Sequence, residues 1–308
     1  DARAVFKNIG LDLRVYEELK MWVHAEDLVG EIPMDTGEVT AFIRIGTDFV
    51  DNYYEYEIPL TITPPNPAGG FYDNDVLTDR QIVWPEQNEV TVQLADLVRL
   101  KLLRDSAGLS INLPYSVVDP DGGRYTVKGN PDIGLAKTVM LGIRNPQRDN
   151  PYNPRNDDDG QPKCVEVWWN ELRVSGLLEE SSSAATASMA IKLADFATFN
   201  LSTNISSIGF GQVEQRVDDR QKEKRVGYDF SASVNIGRLF GEKSGIQIPF
   251  FGGITQTFIT PQFDPYTLDV PTDLKLESLR NRFGADSARQ FKRQIQQVTT
   301  RSGYNFTG

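Results

Sequence analysis

The chain has 308 residues, 39% of them hydrophobic and 24% charged, enough for one large globular domain or two ordinary ones. Its 32 basic and 43 acidic residues leave a net charge of −11, without the basic stripe that a nucleic-acid backbone requires, so a nucleic-acid partner is excluded. A single cysteine, Cys164, excludes an internal disulfide framework and cysteine-rich zinc sites, and no run of about 18 apolar residues exists to form a transmembrane helix.

The start, DARAVFKNIG, has neither the basic nor the apolar segment of a signal peptide, so the chain is expected to be mature or an internal piece of a longer one. Residues 1–175 read as strands between turn-rich loops. In RVYEELKMWVHAE, Met21, Val23 and Ala25 alternate with Trp22, His24 and Glu26. VTAFIRIGTDFV and NYYEYEIPLTIT follow, and PPNPAGG is a loop. NEVTVQLADLVRLKLLRD starts as a strand, but Leu94, Leu97, Leu100 and Leu103 then recur at helical spacing, so its second half stays ambiguous. PDGGRYTVKGNP reads as a hairpin turn and strand. LAKTVMLGIRNP and CVEVWWNELRV are further strands, separated by the polar loop QRDNPYNPRNDDDGQPK. In VWWNELRV, Val167, Trp169, Leu172 and Val174 do not keep one parity, which predicts a β-bulge near Asn170. Short strands at this spacing, with helix nearly absent, predict a jelly-roll-like β-sandwich over residues 1–178.

The pattern changes after GLLEESSS, so residues 179–308 form a second domain. AATASMAIKL places Ala187, Met189, Ile191 and Leu193 on one side. ATFNLSTNIS alternates Phe199 and Leu201 with Thr198, Asn200 and Ser202. GYDFSASVNIG alternates Phe230, Val234 and Ile236 with Ser231, Ser233 and Asn235. IQIPFFGGITQTFITP is a fourth strand. Residues 273–300 read as one helix in a loop, with Phe291, Ile295 and Val298 as its stripe, and SGYNFTG is extended again. Strands of about ten residues with short hydroxyl and amide groups on one side match the outer-membrane barrel pattern. The lipid-facing candidates are therefore Phe199, Leu201, Phe230, Val234 and Ile236. The lumen-facing candidates are Thr198, Asn200, Ser202, Ser231, Ser233 and Asn235. Tyr228, Phe230, Phe250, Phe251 and Phe258 are placed as an interfacial girdle. Four strands cannot close a barrel, whose smallest type uses about eight, so other segments must complete it. The fold class is all-β.

Catalytic chemistry finds no foothold. His24 is the only imidazole, and no nucleophile elbow accompanies it, so it reads as a sheet residue hydrogen-bonded locally. RNDDDG followed by Glu166 sets Asp157, Asp159 and Glu166 at calcium-loop spacing, but Arg155 and Lys163 occupy ligand positions. A solvated turn is the better reading, with those three acids as the calcium candidates; Asp119–Gly122 is likewise a turn. No phosphate-binding glycine loop is present. No cofactor is expected.

VWWNELRV, followed by MAIKLADFATFNLS, GFGQVEQRVDDR, YDFSASVNIGRLF and GIQIPFFGG, resembles in order and spacing the SprA/Sov family of Bacteroidetes gliding motility and type IX secretion. NIGLDLRVYEELKMWVHAED and TAFIRIGTDFVDNYYEYEIPL resemble the segments upstream of that motif. The resemblance implies an internal fragment of a much longer chain, one that forms a very large barrel passing folded cargo through the outer membrane. It implies the remaining segments of that barrel, a small shuttle barrel, a periplasmic plug and secreted cargo as partners, with the sandwich at a barrel mouth. The expected function is a non-catalytic part of that secretion pore. The alternative is a secreted carbohydrate-binding jelly-roll module with an accessory β domain.

Overall fold

The computed structural model describes residues 1–28, 34–67, 69–120, 122–146, 161–178, 181–241 and 244–306. It divides into two compact units, Asp1–Leu178 and Glu179–Gly308.

The first unit contains β1 (Ala2–Leu11), β2 (Tyr16–Asp27), β3 (Thr40–Gly46), β4 (Tyr53–Pro59), β5 (Glu89–Gln93), β6 (Tyr115–Val118), β7 (Arg124–Lys128), β8 (Ala136–Arg144) and β9 (Val165–Leu177). One antiparallel sheet has the order β1-β8-β3-β4-β7-β6 and a second the order β5-β2-β9. In each sheet an early strand lies beside a late one, β1 beside β8 and β2 beside β9, the long-range closure expected of a jelly-roll-like sandwich. Ala41, Ile43 and Ile45 of β3 and Tyr54, Tyr56 and Ile58 of β4 point into the core, as do Met21, Val23 and Ala25 of β2.

Helix is more abundant in this unit than the pattern predicts: α1 spans Leu77–Val83 and α2 spans Leu94–Ser106. In α2 the leucine spacing prevails over the strand reading, because Leu94, Leu97, Val98 and Leu100 come onto one buried side; Leu103, the fourth leucine of the expected row, is 52% exposed. Two cations of α2 are buried as well. Lys101 Nζ donates to the Pro131 carbonyl at 2.6 Å and Arg104 Nη1 to the Gly129 carbonyl at 2.6 Å. These bonds remove the cost of burying unpaired charge and fasten the helix to the loop after β7.

The face of the six-stranded sheet opposite the core carries an ionic network. Arg144 bonds Glu57 at 2.6 Å and Glu55 at 3.1 Å, Arg44 bonds Glu55 at 2.8 Å, Arg124 bonds Glu57, and Thr40 Oγ1 donates to Glu57 at 2.6 Å. The Arg44 and Arg144 guanidiniums lie over Tyr53 and Phe42, 3.9 and 4.6 Å from the ring centroids. Burial would raise the Glu57 carboxyl, but the charges of Arg144 and Arg124 outweigh it and hold the group below the usual carboxylate range.

The bulge in β9 is present. Lys20 pairs with Arg173 and Trp22 with Asn170, so two residues of β9 oppose Met21 alone. Glu171 takes up the extra length with φ +54. The turn read at Asp119–Gly122 is also formed: the Asp119 N–H donates to the Gly123 carbonyl and the Gly122 N–H to the Asp119 carbonyl.

The second unit contains β10 (Ala184–Leu193), β11 (Ala197–Ser206), β12 (Glu223–Asn235), β13 (Pro249–Pro261), β14 (Phe263–Asp264), β15 (Thr267–Pro271) and β16 (Gln297–Phe306). β14 and β15 form a small hairpin. The others form one open antiparallel sheet, β10-β11-β12-β13-β16; no closed barrel is present among the described residues. The single helix expected at 273–300 is instead two helices, α3 (Thr272–Phe283) and α4 (Ala285–Ile295), broken at Gly284. Gly284 has φ +87, a backbone state open to glycine and costly for other residues. Val298, expected on the helical stripe, lies on β16. There Val298, Thr299 and Thr300 are β-branched in succession, and β13 offers them a paired edge.

Candidate functional site

The five-stranded sheet of the second unit is the feature with functional content. Its register aligns side chains of one character across all the strands. On one face lie Leu193, Ala197, Val234, Phe250 and Phe306, then Ile191, Phe199, Ala232, Gly252 and Tyr304, then Met189, Leu201, Phe230, Ile254 and Ser302. The last row of that face is Ala185, Ile205, Val226, Phe258 and Val298. Large apolar side chains stand open: Met189 is 52% exposed, Leu201 42%, Phe230 42% and Ile254 44%. Side chains of this size seldom form so wide an exposed surface on a protein bathed only in water.

The other face is polar. Ser188, Ser202, Asp229, Thr255 and Arg301 form one continuous row, and Ala190, Asn200, Ser231, Gly253 and Gly303 the next. Thr255 Oγ1 donates to Asp229 Oδ1 at 2.5 Å, and Asn200 Nδ2 to Ser231 Oγ at 3.3 Å. Most of these groups are hydroxyls and amides, which hydrogen-bond to one another or to water without a strong field.

Phe199, Leu201, Phe230 and Val234 share the apolar face, and Thr198, Asn200, Ser202, Ser231 and Ser233 share the polar one. Ile236 does not join them. β12 ends at Asn235, and Ile236 opens a 3-10 turn, Ile236–Phe240, with its N–H donated to the Ile248 carbonyl. Asn235 keeps the polar parity but sits at the strand end, its N–H on the Phe196 carbonyl and its Oδ1 buried without a partner. Phe251, placed in the aromatic girdle, is paired with Ser233 and lies on the polar face, because it has the opposite parity to Phe250, and Tyr228 and Phe230, placed there too, lie in the middle rows of the sheet and not at a rim.

Two features escape the pattern reading. β16 is a fifth strand, whose alternation begins at Gln297, within the segment assigned to helix. The apolar face is also crossed by a polar row, Thr203, Tyr228, Gln256 and Thr300, in which Gln256 Nε2 donates to Thr300 Oγ1 at 3.2 Å and Thr203 Oγ1 to the Gly227 carbonyl at 3.0 Å. Their donors are thus partly satisfied within the sheet.

The candidates for chemistry in the first unit do not converge. His24 is buried, its Nδ1 2.8 Å from the Val83 carbonyl and 3.1 Å from Thr63 Oγ1, with Trp84 and Trp168 against its ring. These partners lie 59 and 39 positions away in the chain, so the bonding is not local as expected; the near neighbour is Glu26, its Oε2 3.4 Å from Nε2. Asp157 and Asp159 lie outside the described residues. Glu166 accepts a hydrogen bond from Trp168 Nε1 at 2.6 Å. Among the described residues no group of three His, Cys, Asp or Glu side chains is arranged to hold a metal ion.

Among the described residues no helix is long and apolar enough to cross a membrane, which says nothing about crossing by strands. No curated protein matches the chain. A family model, SprA_N, described as motility related/secretion protein, matches residues 1–276.

Proposed function

The chain belongs to the SprA_N family of motility related/secretion proteins, and from that premise we propose that its second unit is a sector of the wall of a protein-conducting outer-membrane barrel. The observation that carries this reading is the open apolar face of Met189, Leu201, Phe230 and Ile254, backed by a face that is mostly polar. Phe250 to Phe258 covers eight residue steps of β13, which at about 3.4 Å per step and a tilt of about 40° gives roughly 20 Å along the membrane normal, close to the height of the barrel apolar band. β10 and β16 are unpaired on their outer sides among the described residues. Unpaired strand edges cannot stand in lipid, because their N–H and C=O groups have no water there, so further strands of the same barrel must cover them.

The family associates the chain with the cell envelope, and its members are not known as enzymes. In our reading the role is passive. Lipid solvates the aromatic and aliphatic face. Thr198, Asn200, Ser202, Ser231 and Ser233 border water, offering cargo short polar groups that neither grip an apolar surface nor strongly repel charge. The energy for movement comes from outside this chain, and a shuttle barrel, a periplasmic plug and secreted cargo are its expected partners. The first unit, a sandwich with its own buried core, remains in an aqueous compartment in this reading.

The test uses the full-length protein in isolated outer membranes. In a Cys164→Ser background, single cysteines are introduced by Phe230→Cys and Ser231→Cys. A water-soluble maleimide should label the second and spare the first until the membrane is dissolved. Equal labelling of both in intact membranes would overturn the reading.

A further inference from the structure

The connection from β13 to β16 is unlike the rest of the chain. Residues 272–296 carry six basic and three acidic side chains, in a protein of net charge −11. The hairpin of α3 and α4 meets the apolar face of the sheet at its rim. There a cavity of about 270 Å³ is lined by Lys224, Thr260, Thr272, Lys292 and Gln296, above Val226 and Phe258.

The register fixes the orientation of this cavity. Val226 pairs with Phe258 in the last apolar row, and Lys224 pairs with Thr260 one step further along the same face. An ammonium group therefore stands where the greasy surface ends, and α4 brings Lys292 to the same cavity. Neither lysine has an ion-pair partner among the described residues, and both are exposed. Asp273 is the single carboxylate in the lining, so the two lysines leave the cavity positive. Leu276 adds to the apolar floor. Gln296 Nε2 is already given to Thr260 Oγ1 at 3.0 Å, and Thr272 Oγ1 to the Pro261 carbonyl at 2.8 Å, so the polar walls are held in place by their own bonds.

We infer that this cavity binds the phosphate headgroup of an anionic membrane lipid, with Lys224 and Lys292 on the phosphate and the acyl chains running down over Val226 and Phe258. The inference rests on the membrane reading of the sheet. A soluble anion would meet the same two charges but would gain nothing from the apolar floor. A lipid satisfies both, because its charge and its hydrocarbon are separated in the same order as the lysines and the apolar rows.

The test is native mass spectrometry of the full-length protein in detergent, titrated with phosphatidylglycerol or phosphatidylcholine. Wild type should retain phosphatidylglycerol about tenfold or more tightly than the Lys224→Gln/Lys292→Gln double variant, and Lys224→Arg/Lys292→Arg should restore retention. Equal retention by wild type and the glutamine variant would overturn the inference, as would equal retention of the two lipids by wild type. Displacement by millimolar inorganic phosphate would also overturn it, since the site would then belong to a soluble anion. The cysteine labelling described above, repeated in the double variant, separates the two levels. Labelling that still distinguishes 230 from 231 while lipid retention is unchanged rejects the lipid site alone, and loss of the distinction in wild type rejects the membrane reading itself.

Discussion

The rings of Phe199 and Phe230 lie stacked across β11 and β12, 6.4 Å between centroids and 19° between planes. They are diagonal neighbours on one face, since Phe199 pairs with Ala232 and Phe230 with Leu201. Phe230 still exposes 42% of its surface, so the contact orders the face without sealing it.

A charge at this position should therefore act through the surrounding medium. Phe230→Arg is expected to destabilise the assembled barrel by about 2–4 kcal/mol, the cost of a cation near the bilayer midplane. Ser231→Arg, on the polar face, should cost far less. Urea titration of the full-length protein in lipid vesicles measures both, and equal effects would remove the distinction between the faces.

Acid should weaken the first unit at its ionic network. The Glu57 carboxyl is held below the usual carboxylate range. Asp48 is held far below 3.8: burial opposes its charge, but the Asn52 side chain and the N–H groups of Val50, Asp51 and Asn52 bond it. Depressed carboxyls contribute stability that is complete above their unfolded values and is lost as pH falls through the folded ones. Stability should be level from pH 7 to about 5 and fall below about 4.5. The four tryptophans of this sequence, Trp22, Trp84, Trp168 and Trp169, lie in this unit, so within residues 1–308 tryptophan fluorescence in urea follows it. Glu57→Ala should cost about 1–3 kcal/mol at pH 7 by removing the buried carboxylate that Thr40, Arg124 and Arg144 share, and should flatten the acid dependence.

Gly129 should tolerate no side chain. Its φ is +71, and a Cβ there would lie 1.9 Å from the Asp51 carbonyl oxygen. Its own carbonyl accepts from Arg104, so the loop cannot retreat without breaking a buried, charge-assisted hydrogen bond. Gly129→Ala is expected to lose about 2–3 kcal/mol or more in the same fluorescence assay.

The bulge in β9 gives an opposite sign. Glu171 sits at φ +54, where a Cβ is strained. Glu171→Gly should be neutral or stabilising by up to about 1 kcal/mol, and Glu171→Val should lose about 1–2 kcal/mol, because a β-branched side chain fits that region worst. A common loss in both variants would show that the carboxylate, rather than the backbone, matters there.

By itself the sequence determined what depends on near neighbours. Two-residue alternation assigned β10 to β13 and divided Phe199, Leu201 and Phe230 from Asn200, Ser202 and Ser231, since successive strand side chains must point to opposite faces. The mixed parity of VWWNELRV announced the bulge. What the tertiary structure decided depends on partners distant in the chain. β16 became a strand because β13 presented an edge to it, while Gly284 split the expected helix in two and α4, which carries Phe291, stops at Ile295. α2 became a helix because its leucines found a core and its Lys101 and Arg104 found carbonyls some 25 to 30 residues away. The meeting of Lys224 with Lys292, 68 positions apart, could be read only once register and the helical hairpin had closed that distance, because chain separation carries no information about which side chains come to share a cavity.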